Sequence, residues 1–141
     1  MGHVPTGPVP QERQGDELPR REHRRARATT LSLDRPSIAR LGEDLAASFL
    51  ESRGASILGR NLRYGRGEID LLVNLGGVVV AVEVKTARRR DIDPAENFTD
   101  DKAHMVRRTA LRLRPPAKRI DLITVIVDDH GVAMRWIKEA A

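Results

Sequence analysis

The sequence predicts an α/β fold, a mixed central sheet flanked by helices, and three observations carry that expectation. Helical and strand periodicities follow one another as helix, three strands, helix, then one or two strands. The strand candidates are rich in Val, Ile and Leu, the residues a sheet interior prefers. The helix between the third and fourth strands can carry the chain back across the sheet, so that the last long strand runs parallel to a neighbour.

Residues 1–35 contain prolines, glycines, glutamines and mixed charges without apolar periodicity. This stretch reads as a disordered basic extension, either a solvated tail or, through REHRRARA, a nucleic-acid-binding arm. Residues 36–141 form the folded domain. Its first helix starts near Pro36 or Ser37, since proline suits a first turn. Ile38, Leu41, Leu45 and Phe49 make an apolar stripe, and Gly54 stops the helix. ASILGRNLR is a first strand, Tyr64-Gly65-Arg66-Gly67 a turn, and residues 68–74 a second strand. Gly76-Gly77 then turns the chain into a third strand over 78–86. After a polar loop, Thr99 caps a second helix whose first turn holds Asp100 and Asp101 at its positive end. Val106, Ala110 and Leu113 face inward, and Pro115-Pro116 ends the helix. RIDLITVIVDD is the fourth strand, and VAMRWIKEA a short final one.

The chain of 141 residues suits a single domain with a modest core. It has no cysteine, no secretory signal and no apolar run near the roughly 20 residues of a membrane helix. A cytoplasmic protein without membrane attachment is the expectation. A net charge of +5 and a pI near 10.4 point to polyanions, nucleic acid before anionic membrane. Phe49, Phe98, Tyr64 and Trp136 are its only aromatic residues, too few for the usual base-stacking platform.

The third strand carries the anomaly. In VVVAVEVKT, Val80, Val82 and Val84 share one face while Ala81, Glu83 and Lys85 share the other. The second strand places Glu68, Asp70 and Leu72 on one side and Ile69, Leu71 and Val73 on the other. The short hairpin makes the two strands neighbours, so Asp70 and Glu83 can point into one space beside Lys85. Glu43 borders the apolar stripe of the first helix and can reach the same pocket. Two carboxylates about 4 Å apart repel by roughly 4 kcal/mol at an effective dielectric of 20. Such a group must protonate, pair with lysine or hold a hard cation such as Mg²⁺. The last choice outlines metal-assisted phosphodiester hydrolysis. The plainer alternative is a cross-strand Glu83–Lys85 ion pair on a solvated face, with Asp70 capping a turn.

LGEDLAASFLESRGASILGRNLRYGRGEIDLL followed by VAVEVKT resembles the YraN family of bacterial proteins, and the likeness runs from about Ile38 to the C-terminus. RIDLITV and MRWIKEAA resemble that family's late strand and ending. Ala81 and Ile120 stand where the family usually has aromatic residues. The family looks like a member of the PD-(D/E)xK nuclease superfamily, so the resemblance implies a restriction-endonuclease-like αβββαβ core similar to Holliday-junction resolvases. It implies Asp70 and Glu83 as ligands of Mg²⁺ or Mn²⁺, with the Val84 carbonyl beside them and Glu43 as an accessory ligand through water. It implies Lys85 as the residue that positions the attacking water. The expected reaction is in-line phosphodiester hydrolysis that leaves a 5′-phosphate.

Arg63, Arg88, Arg89, Lys102 and Arg108 are the candidates for phosphate contacts, on DNA foremost. Asp121 reads as a structural acid that pairs with an arginine, and a homodimer is compatible with the resolvase likeness. From other classes come a nucleic-acid-binding module that keeps the fold without catalysis, and an interaction protein whose acids only stabilise the sheet.

Overall fold

The computed structural model describes residues 33–141, and most of the expected extension, residues 1–32, lies outside the described residues. Helix α1 spans Arg35–Ser52. Asp34 caps it, its carboxylate accepting the Ser37 amide at 2.9 Å. Strands β1 (Ser56–Tyr64), β2 (Gly67–Leu75) and β3 (Val78–Ala87) follow. Then come helix α2 (Asp100–Arg112) and strands β4 (Arg119–Asp128) and β5 (Gly131–Ile137). The expected order of elements stands. The polar loop before α2 holds one feature not expected, a 3₁₀ turn over Pro94–Asn97 whose first turn is capped by Asp93.

The five strands lie in chain order, β1-β2-β3-β4-β5. Only β3 and β4 are parallel, because α2 carries the chain across the sheet between them. Gly76 and Gly77 take φ of 61° and 90°, the left-handed pair that a two-residue hairpin needs. No helix among the described residues is long and apolar enough to cross a membrane.

Each face of the sheet packs on one helix. Val80, Val82 and Val84 join Leu71, Val73, Ile123 and Val125 beneath α1. Ala81, Leu72, Ile69 and Ile120 join Val106 and Ala110 of α2 and its C-cap residue Leu113. Ala81 and Ile120 are partners in the β3–β4 ladder and wholly buried together.

Helix α1 differs from its expected orientation. Its buried residues are Ile38, Gly42, Ala46, Ala47 and Leu50, while Leu41, Leu45 and Phe49 are only half-buried. The contact line is turned by roughly a quarter of the helical circumference toward the small residues. Close approach explains this. A Cβ on Gly42 would lie 1.9 Å from Thr86 Oγ1 and 2.9 Å from Thr86 Cβ, so the helix backbone rests directly on β3. The larger side chains pack around the rim of that contact, and Phe49 meets Trp136 edge-on with ring centroids 5.9 Å apart.

Asp121 is the structural acid that the sequence suggested. It is fully buried on β4 and accepts four hydrogen bonds. Arg119 Nε and Nη2 donate at 2.9 and 2.8 Å, and Trp136 Nε1 and the Glu139 amide each at 2.9 Å. One carboxylate thus ties β4 to β5 and to the chain end.

Gly42→Ala should destabilise the fold by about 1–3 kcal/mol through overpacking. In thermal melts, adding Thr86→Ala should return part of that loss. Asp121→Ala strands buried donors and should lower stability by about 3 kcal/mol or more, read as a fall in the denaturant midpoint.

Candidate active site

Two breaks in the strand ladders create the site. The β2–β3 register runs from Leu75↔Val78 to Leu71↔Val82 and ends there. One residue on, Asp70 no longer pairs through its backbone; its Oδ2 accepts the Val84 amide at 2.8 Å. On the other edge of β2, Arg60↔Leu71 and Leu62↔Ile69 are paired, which leaves Asn61 opposite Asp70. Asn61 has φ of 49°, in the left-handed region that asparagine tolerates.

The pleat slips at this point. Ile69 and Leu72, three residues apart, both pack with α2, whereas Leu71 and Val73 pack with α1. The expected grouping of Ile69 with Leu71 and Val73 fails for that reason. Asp70 sits inside the slip, turned into the gap where β2 and β3 part.

Glu83 and Lys85 continue the face of Ala81 by alternation. Glu83 Oε2 is 3.4 Å from Lys85 Nζ, with side chains 12% and 19% exposed respectively. The pair runs along one strand in a sheltered position, so the alternative of a cross-strand pair on a solvated face does not hold. Glu83 Oε1 is buried and has no hydrogen-bond partner among the described residues. Burial above all, then the charge of Glu83, pushes the Asp70 carboxyl up to about 8, against the pull of the Val84 amide. Burial also raises Glu83, opposed mainly by Lys85.

Glu43 approaches from α1, the layer on the opposite face. Its charge contributes to raising Asp70, but Asn61 Nδ2 donates to its Oε1 at 3.1 Å and holds it. Among the described residues no three carboxylate or imidazole groups gather closely enough to hold a metal ion. The expected trio of Glu43, Asp70 and Glu83 is therefore not a ready ligand cluster. Asp70 and Glu83 meet, while Glu43 stands off on Asn61. Asn61 is the site residue that the sequence reading missed. Its signal was an asparagine within a strand, where that residue is depleted.

Beside Lys85 opens a groove of about 760 Å³, lined among others by Arg35, Val84, Arg88, Arg89 and Asn97. Arg88 donates to the Leu33 carbonyl, and Arg89 grips Asp91 through Nε at 3.0 Å and Nη2 at 2.6 Å. Arg63 lies on β1 with its Nη2 3.8 Å from Glu68. Lys102 is exposed on the first turn of α2, and Arg108 lines a second groove near Tyr64. Of the candidate phosphate contacts, Arg88 and Arg89 thus line one groove and Arg108 another, Arg63 and Lys102 line neither, and the charge of Arg89 is already offset.

Residues 42–125, more than half of the chain, match the model of "Uncharacterised protein family UPF0102". The chain belongs to UPF0102. That is the family of the YraN resemblance. A UPF0102 protein of Dictyoglomus turgidum is 32% identical over 111 residues, which cover 74% of this chain and 94% of the relative. A Streptomyces coelicolor relative is 41% identical over 106 residues, 69% of this chain and 82% of the other. A Symbiobacterium thermophilum relative is 42% identical over 95 residues, 62% and 80%. The matched UPF0102 segment begins at Gly42 and encloses Glu43, Asn61, Asp70, Glu83 and Lys85.

The raised carboxyl has a consequence for stability. Between about pH 4 and 8 the folded UPF0102 chain keeps a proton on Asp70 that the unfolded chain releases. Stability in chelator should therefore fall as pH rises through that window. Asp70→Asn should flatten the slope, as measured by denaturant titrations at pH 5 and 8.

Proposed function

We propose that this UPF0102 protein is a divalent-metal-dependent nuclease that hydrolyses phosphodiester bonds in nucleic acid, DNA foremost. One observation supports the reading: two buried carboxyl groups share a gap in the sheet within hydrogen-bond reach of each other, and burial with the charge of Glu83 pushes Asp70 up to about 8. Lys85 offsets the charge of Glu83, and a cation would bind by displacing the proton that Asp70 holds in the metal-free chain. Asp70 and Glu83 fit Mg²⁺ or Mn²⁺, hard ions that take one or two carboxylates and keep several waters. When bound, such an ion supplies positive charge to the phosphate and lowers the pKa of a coordinated water.

The chain's own residues would do the rest. Lys85, sheltered against Glu83 and part of the lining of the groove, would orient a water toward phosphorus and donate to a non-bridging oxygen. The water would give up a proton to solvent and bond to phosphorus as the bond to the 3′ oxygen breaks, that oxygen taking a proton in turn, which leaves a 5′-phosphate and a 3′-hydroxyl. Glu43 would bear on the outer waters from its place on Asn61. That same hydrogen bond favours a second reading, a binding module that keeps the fold without turnover.

Mg²⁺ or Mn²⁺ at ten times its Kd should add about 1.4 kcal/mol by linkage. For a domain of this size that is a Tm rise of roughly 5–10 °C, and Asp70→Asn or Glu83→Gln should abolish it. With Mn²⁺, wild type should cleave at least one member of a panel of branched, flapped, single-stranded and RNA substrates. Lys85→Ala should slow that cleavage about 10²- to 10⁴-fold. Salt-dependent binding of branched DNA that ignores these substitutions, without cleavage, would establish the binding module instead.

A further inference from the structure

The second groove has a composition unlike the first. It lies between the turn at Tyr64–Gly67 and α2, with a volume of about 480 Å³, the size of a small-ligand pocket. Six large apolar residues are exposed among the described residues, and three of them, Tyr64, Met105 and Leu111, line this one groove. Its charged lining is Arg66, Arg108 and Arg112, with no acid. The Arg112 guanidinium lies 5.3 Å from the centre of the Tyr64 ring, and its Nη1 donates to the hydroxyl at 3.0 Å. The floor is rigid: a Cβ on Gly67 would lie 1.8 Å from Thr109 Oγ1, so α2 is seated directly on the first residue of β2. Gly67 is three residues before Asp70, about 10 Å along the strand.

We infer that this groove is a subsite for one unpaired nucleotide of a single strand, its base on Tyr64, Met105 and Leu111 and its phosphates on Arg108 and Arg112. The inference rests on the nuclease reading for the neighbouring carboxylates and specifies the substrate as nucleic acid with an unstacked base next to the scissile phosphate. A base within a duplex has both π-faces covered by its neighbours, so only an unpaired one can lie against a protein ring. An exposed aromatic edged by arginines is the pairing that takes both parts of a nucleotide. A second copy of the chain suits the groove poorly, because an isologous contact would bring two sets of three arginines together. An acidic amphipathic peptide would satisfy the same rim. The short distance along β2 to the carboxylate pair favours a strand whose phosphodiester must reach Asp70 and Glu83.

The test is fluorescence anisotropy of the full chain in EDTA with a labelled single-stranded DNA, the same oligonucleotide made abasic, and a matching duplex. Tyr64→Ala should weaken single-strand binding roughly 5- to 150-fold, while Tyr64→Phe, which keeps the ring, should bind nearly as wild type. The abasic strand and the duplex should be indifferent to Tyr64→Ala, and Arg108→Ala should weaken all three. Unchanged single-strand affinity in Tyr64→Ala overturns the subsite, as does an equal loss on the abasic strand. Sedimentation that shows a dimer lost in Tyr64→Ala, or a labelled acidic peptide bound in a Tyr64-dependent way while the oligonucleotide is not, also overturns it. Binding needs no metal, so the two readings fail separately. Tyr64-dependent binding without cleavage would sink the hydrolase and keep the subsite. Cleavage lost in Lys85→Ala but equal on duplex and single strand, and indifferent to Tyr64→Ala, would do the reverse.

Discussion

The hydrogen bond from the Val84 amide to the Asp70 carboxylate is the contact on which the candidate site depends. It stands where the β2–β3 ladder has ended, and a side chain has replaced a backbone carbonyl as the acceptor. A buried amide must find a partner, and here the partner is an acid. That substitution draws a carboxylate into the sheet and fixes it beside Glu83. Burial and like charge then push Asp70 up to about 8, and Glu83 Oε1 is without a partner among the described residues as long as Asp70 is in its charged form.

The scaffold holds this unfavourable arrangement through contacts that are individually stiff. Gly42 sets α1 against Thr86, and Gly67 sets α2 against Thr109. Both helices are therefore seated at the ends of β2 and β3 that frame the gap. Asp121, with four donors around it, closes the far side of the sheet by joining β4, β5 and the chain end. A fold with two well-packed faces can tolerate one poorly satisfied gap, and such gaps are where strained residues such as Asn61 are expected to collect.

The basic surplus is less free than the net charge suggests. Arg60 is tied to Asp44, Arg89 to Asp91, Arg90 to Asp128 and Arg119 to Asp121. What remains is not an even coat of positive charge. Arg35 and Arg88 line the groove beside Lys85, and Arg66, Arg108 and Arg112 line the groove beside Tyr64. The proposed subsite asks for one exposed ring at the right place rather than the several that a stacking platform uses.

Periodicity was enough for the order of elements, the two-glycine hairpin, the Thr99 cap and the opposite faces of Val80, Val82, Val84 and Ala81, because these depend on neighbours within a few residues. The nearness of Asp70 to Glu83 was legible too, since a short hairpin aligns its own strands. Three things required the tertiary structure: the turning of α1 toward Gly42, the slip of the pleat at Ile69, and the capture of Glu43 by Asn61. Each is settled by a contact between segments far apart in the chain. How close a helix backbone can come to a strand depends on which atoms meet across the interface, and no local pattern records that.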